Sequence, residues 1–177
     1  ANARNARDWN LSGVRRVRPQ LSSFRQTGPR AFEAAYAWRV GERVDVDAVC
    51  FVHFSEVRPG WDPYDEAIRF QNDHPLPRPL TSCRPGETLS DGPYAITVPA
   101  DVPDGDYRWT IGLFAPGGGA RVPIEGQDDG HGRIVLGTLR VRDGGRSITF
   151  EPDRRAGEDQ AALYLDRRNV KGRAVDF

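Results

Sequence analysis

The stretch FVHFSEVRPGWDPYDEAIRFQNDHP, residues 51–75, holds two of the chain's three histidines together with several acids, a Trp and a Tyr. Imidazole and carboxylate groups together can hold a transition metal, so His53, Asp73 and His74, with Asp128, Asp129 and His131 further on, are the residues to weigh first. Their spacing argues against a ready-made centre. There is no HxH and no HExxH, and Asp73-His74 precedes Pro75, a turn context in which an Asp bonds nearby backbone amides. The favoured reading makes His53, Asp73 and His74 structural supports of a strand-loop-strand crossing. A metal-dependent enzyme or binder built on these His/Asp loops is the alternative.

Other catalytic patterns fail on inspection. QDDGHGR, residues 127–133, lacks the alternation of a calcium loop. Gly117-Gly118-Gly119 is followed by neither a helix nor a Lys where a phosphate loop needs them. No serine sits in a nucleophile elbow, and acid pairs in turns do not single out a glycosidase pair. No catalytic set, resident metal or cofactor is therefore assigned.

One loop keeps a binding role open. In RPGWDPYDEA, Trp61 and Tyr64 stand beside Asp62 and Asp65, so rings could stack on a pyranose while the acids accept its hydroxyls. Carbohydrate is the ligand class this suggests. The plainer reading has the same aromatics folding back as a lid on the core.

Cys50 and Cys83 are the two cysteines. Joined, they would close a loop of about 33 residues and contribute roughly 3–4 kcal/mol, as suits an oxidising compartment. Left free, they read as buried thiols. Acids and bases balance at 25 each, so no global field favours nucleic acid. All but one of the bases are arginine, a skew read as compositional. No apolar run reaches the ~18–20 residues of a membrane helix, which argues against membrane insertion, and with no Met in the chain it is read as processed or excised.

These groups must be positioned by strands. Phe32, Ala34, Tyr36 and Trp38 alternate with smaller or polar neighbours, the period-two pattern of a half-buried strand. The later part of VDVDAVCFVHF, residues 44–54, is apolar on both faces, as in a central strand. Residues 68–71 and 91–98 follow, the latter with Pro93 at its mouth. In DYRWTIGLF, residues 106–114, Tyr107, Trp109, Ile111 and Leu113 form one large apolar face that must meet a second sheet. Residues 121–124, 133–141 and 147–150 complete the set, with Trp9, Leu11, Val14 and Val17 hinting at a first strand. About eight strands between Gly- and Pro-rich turns predict an all-β, two-sheet antiparallel sandwich. It is expected over 31–150, after an N-terminal segment 1–30 and before a C-terminal tail or linker 151–177 that is irregular or short-helical.

The ordered set CFVHF, FQNDHPLP, TSCRPGE, PYAITVPADVPDGDYRWTIGLF and GRIVLGTLRV, spanning about residues 31–142, resembles an immunoglobulin-like β-sandwich module found beside bacterial glycan-processing enzymes and at the ends of some membrane glycosyltransferases. Such modules carry a tryptophan near the PGE turn, where this chain has Cys83. The tail YLDRRNVKGRAVDF is similar to the start of a following segment in multidomain relatives. The resemblance implies a noncatalytic accessory module of an extracellular or periplasmic protein, with neighbouring domains of a longer chain as partners. It does not name a ligand, because function lives in sites rather than folds. A purely structural assembly domain, pairing through its edge strands, is a further alternative.

Overall fold

A computed structural model describes residues 17–42, 47–56, 67–117, 121–122, 124–125 and 132–153. Alternation of large apolar and small or polar side chains, punctuated by glycine and proline, yields ten strands among these residues: β1 (Val17–Gly28), β2 (Ala31–Val40), β3 (Val49–Glu56), β4 (Ile68–Gln71), β5 (His74–Pro75), β6 (Thr88–Thr97), β7 (Gly105–Phe114), β8 (Arg121–Val122), β9 (Arg133–Arg142) and β10 (Ser147–Pro152). They form two antiparallel sheets packed face to face. The small sheet has the order β1-β2-β6; the large one runs β10-β9-β7-β3-β4, with β5 also on β3 and β8 on β7. No helix among the described residues is long and apolar enough to cross a membrane.

The core follows from the alternation. On β2, Phe32, Ala34, Tyr36, Trp38 and Val40 are buried; on β7, Tyr107, Trp109, Ile111 and Leu113 are. These two faces meet, and each large ring removed from water contributes about 1.5–3 kcal/mol. Trp109 lies at the centre, its ring centroid 4.8 Å from Phe54, 5.3 Å from Phe150 and 5.7 Å from Phe32. Trp109 pairs with Gly137 on β9. A Cβ there would lie 2.6 Å from the Phe150 ring and 2.2 Å from the Glu151 carbonyl oxygen, so only glycine lets Phe150 reach Trp109. β3 is buried from Cys50 to Ser55 because it runs between β7 on one side and β4 and β5 on the other.

Three details depart from the sequence-based expectation. The strand in the first thirty residues runs Val17–Gly28 and belongs to the sandwich; Trp9, Leu11 and Val14 lie outside the described residues. His74 and Pro75 form a short strand, with His74 opposite Cys50, rather than a turn. β6 begins at Thr88, so Pro93 falls inside the strand; this is tolerated because β6 is an edge strand. The tail 154–177 lies outside the described residues.

The Pro93 region has a structural consequence. In the β2–β6 ladder Tyr36 faces Asp91 and Ala34 faces Tyr94, leaving Gly92 and Pro93 as a bulge against Ala35. Gly92 has φ of +112°, and a Cβ there would lie 3.1 Å from the Ala34 carbonyl oxygen, so the bulge requires glycine. Before it Leu89 and Asp91 face inward, and after it Tyr94 and Ile96 do. A regular strand would turn Asp91 and Tyr94 to opposite faces. The bulge puts both inside.

Candidate functional site

Between the sheets, near the β3–β5 ladder, lies a buried polar centre. Cys50 from β3 and His74 from β5 belong to the large sheet; Asp91 and Tyr94 from β6, with Tyr36 and Trp38 from β2, belong to the small one. Cys50, Asp91 and His74 are 0%, 1% and 8% exposed. A charge this deep must be paired and hydrogen-bonded.

Asp91 meets that demand at both oxygens. Its Oδ2 accepts from Trp38 Nε1 at 3.0 Å and lies 2.8 Å from His74 Nε2, while its Oδ1 accepts from the Tyr94 hydroxyl at 2.5 Å. The other ring nitrogen of His74, Nδ1, is 2.7 Å from the carbonyl oxygen of Asn72. Both imidazole nitrogens therefore face acceptors, and both are donors only in the imidazolium form. His74 is held as a cation against Asp91. Burial pulls its pKa down, but the hydrogen bond and charge of Asp91, the Asn72 carbonyl and the charge of Asp73 outweigh that and leave it raised.

The surrounding rings complete the enclosure. The Tyr94 ring lies 4.1 Å from the His74 ring, and Tyr36 stacks on it at 5.9 Å with 20° between planes. Burial, then the bond to Asp91 and its charge, push the Tyr94 hydroxyl well above its ordinary range. Trp38 and Trp109 contrast here: the first satisfies its ring N–H on Asp91, whereas the second has a buried N–H with no hydrogen-bond partner among the described residues. That difference makes Trp38 part of the polar centre and Trp109 part of the apolar one.

Cys50 stands against this pair. Its Sγ, the His74 ring nitrogen and an Asp91 oxygen all lie within 4.8 Å of one another. Burial, followed by the charges of Asp91 and Asp73, pushes the thiol well above its ordinary pKa, so by itself it keeps its proton. The expected Cys50–Cys83 disulfide is corrected: both cysteines are free and buried. The Cys50 sulfur is turned into the polar centre, whereas that of Cys83 lies 3.9 Å from the Pro79 carbonyl oxygen in the turn before β6.

The other sequence candidates separate. His53 alternates with Cys50, Val52 and Phe54 along β3 and so lies on the outer face of the large sheet, its ring 4.8 Å from that of Phe51. Asp73 accepts from the Val52 backbone N–H at 2.9 Å and lies 3.8 Å from His53 Nε2. Neighbours in sequence, Asp73 and His74 thus serve different faces, and His53 and His74 do not converge. Trp61, Asp62, Tyr64 and Asp65 lie outside the described residues, as do Asp128, Asp129 and His131.

Sequence reasoning missed Asp91, Tyr94, Trp38 and Tyr36 as members of one site. A signal existed in Leu89-Ser90-Asp91: an acid occupies the inward phase of a strand, immediately before Gly-Pro.

Fold and site together define an antiparallel β-sandwich with an ionic centre joining its two sheets. Compared with protein-family models, with curated proteins and with solved structures, the chain finds no match.

Proposed function

We propose that this chain is a noncatalytic β-sandwich module that supports or positions a glycan-active enzyme in an exported protein, touching carbohydrate through Trp61 and Tyr64 with Asp62 and Asp65 as hydroxyl acceptors. The observation that carries the noncatalytic part is the inter-sheet contact of His74 with Asp91. Among the described residues, those best suited to acid–base or nucleophilic work face one another inside the core, packed by Trp38, Tyr36 and Tyr94. Groups so enclosed fasten the sheets.

A second observation supports the immunoglobulin-like reading. At the start of β7 the Tyr107 hydroxyl donates to the carbonyl of Pro103, four residues upstream. A tyrosine tied back to the backbone at a strand corner is a feature of immunoglobulin-like sandwiches.

A glycan array followed by calorimetric titration tests the reading. The expected result is saturable glycan binding without turnover, lost in Trp61→Ala while the circular dichroism spectrum is unchanged. Hydrolysis or transfer by the isolated chain overturns the noncatalytic assignment; binding that survives Trp61→Ala, or no binding on the array, removes the carbohydrate platform.

A further inference from the structure

The polar centre has a second chemical capacity, independent of the carbohydrate reading. We infer that Cys50, His74 and Asp91 form a binding site for a zinc-class divalent cation, a structural site joining the two sheets. One sulfur, one imidazole nitrogen and one carboxylate oxygen within 4.8 Å of one another make a donor set that zinc accepts and that hard cations such as magnesium and calcium do not favour.

The geometry requires little rearrangement. Ligand bonds of about 2.0–2.3 Å place tetrahedral donors roughly 3.3–3.8 Å apart. The widest donor separation therefore closes by about 1 Å, while His74 Nε2 and Asp91 Oδ2, now at 2.8 Å, open slightly. The three side chains fill three of the four tetrahedral positions and leave the fourth to a water molecule, which adds no charge.

The outer contacts are those a metal site needs. A ligating imidazole generally donates its other N–H to a carbonyl or carboxylate, which fixes tautomer and ring orientation. His74 does this through Nδ1 to Asn72, leaving Nε2 directed at the centre. Asp91 is likewise oriented by the Trp38 N–H and the Tyr94 hydroxyl.

Charge explains why a divalent ion suits a site this deep. With the thiol protonated, the imidazole doubly protonated and the carboxylate ionised, the three side chains sum to zero. Binding M²⁺ releases one proton from Cys50 Sγ and one from His74 Nε2, leaving thiolate, neutral imidazole, carboxylate and cation, again summing to zero. Two protons exchange for one divalent ion, and the low-dielectric interior acquires no net charge.

Cobalt(II) is the probe, added to the full chain after chelator treatment and, separately, present during refolding. The expected result is one equivalent per chain, with a thiolate-to-cobalt charge-transfer band and tetrahedral d–d bands. Cys50→Ser abolishes the charge-transfer band, Cys83→Ser retains it, and Trp38→Phe weakens binding by about 10–100-fold through the outer contacts. No charge-transfer band in the wild type under either loading protocol overturns the proposal, as does a band that survives Cys50→Ser and disappears in Cys83→Ser. Should Cys50→Ser fail to fold, a band in both wild type and Cys83→Ser upholds the site and its absence from the wild type removes it.

Discussion

His74 Nε2, carried by a two-residue strand of the large sheet, lies 2.8 Å from Oδ2 of Asp91 in the small sheet, with both residues buried. The two are seventeen positions apart in sequence, and the contact joins the layers through charge beside a core cluster of aromatic and aliphatic side chains.

Breaking this pair from one side leaves an unpaired buried charge. Asp91→Leu and His74→Leu are each expected to cost about 3–5 kcal/mol, and the double variant clearly less than their sum, because two apolar side chains strand no charge. Urea unfolding of the four proteins measures this. Additive costs would show that the two side chains act separately.

The pair also gives stability a pH dependence of definite sign. The folded pKa of His74 is raised above its ordinary value near 6.5, so the folded state binds its proton more tightly than the unfolded chain. The resulting stabilisation is full below about pH 6.5 and fades as pH rises through the higher folded value. With chelator present, the urea midpoint of the wild type should fall over that interval relative to His74→Gln. A parallel pair of curves would count against the imidazolium.

Free thiols at Cys50 and Cys83 predict a simple titration. Without reductant, the denatured chain should release two thiols to a disulfide-exchange reagent, while the native chain reacts slowly because both are buried. A count of zero after denaturation would restore the cross-link.

Two glycines have separable structural roles. Gly137→Ala should push Phe150 off Trp109 and cost about 1–3 kcal/mol, visible as a lowered Tm and altered near-UV circular dichroism. Gly92→Ala places a side chain at φ of +112° against the β2 backbone, an expected loss of about 1–3 kcal/mol. It should also loosen the hold of Asp91 and Tyr94 on His74. The His74 ring resonances would move in Gly92→Ala and stay in Gly137→Ala, which separates the two effects.

At the β7 corner, Tyr107→Phe removes the hydroxyl that reaches Pro103 but keeps the ring in the core. A loss of about 1 kcal/mol is expected. Unchanged stability would mean that water replaces the bond without cost.

Inward and outward faces were legible wherever alternation was uninterrupted. Phe32, Ala34, Tyr36 and Trp38 on β2 and Tyr107, Trp109, Ile111 and Leu113 on β7 are buried as their spacing predicts, because the two-residue period of a strand is a local property of the backbone, although Thr110 and Gly112 on the other face of β7 are buried too. The two-layer architecture followed, since two such apolar faces have nowhere to go but against each other. Local pattern failed at β6, where Asp91 reads as a strand mouth beside Gly-Pro although it is the acid at the centre of the site. The bulge at Gly92 and Pro93 resets the phase of the strand, and period-two reading has no term for that.

Partner choice lay further still from the sequence. Asp73 and His74 are adjacent and both stand as site candidates on paper, yet one accepts from the Val52 amide beside His53 and the other crosses to Asp91. Composition and periodicity determined that this chain makes two apolar-faced sheets. Which polar side chains meet between them was decided by the register of β5 on β3 and of β6 on β2, because ladder pairing and sheet packing are long-range and bring together groups that no local spacing connects.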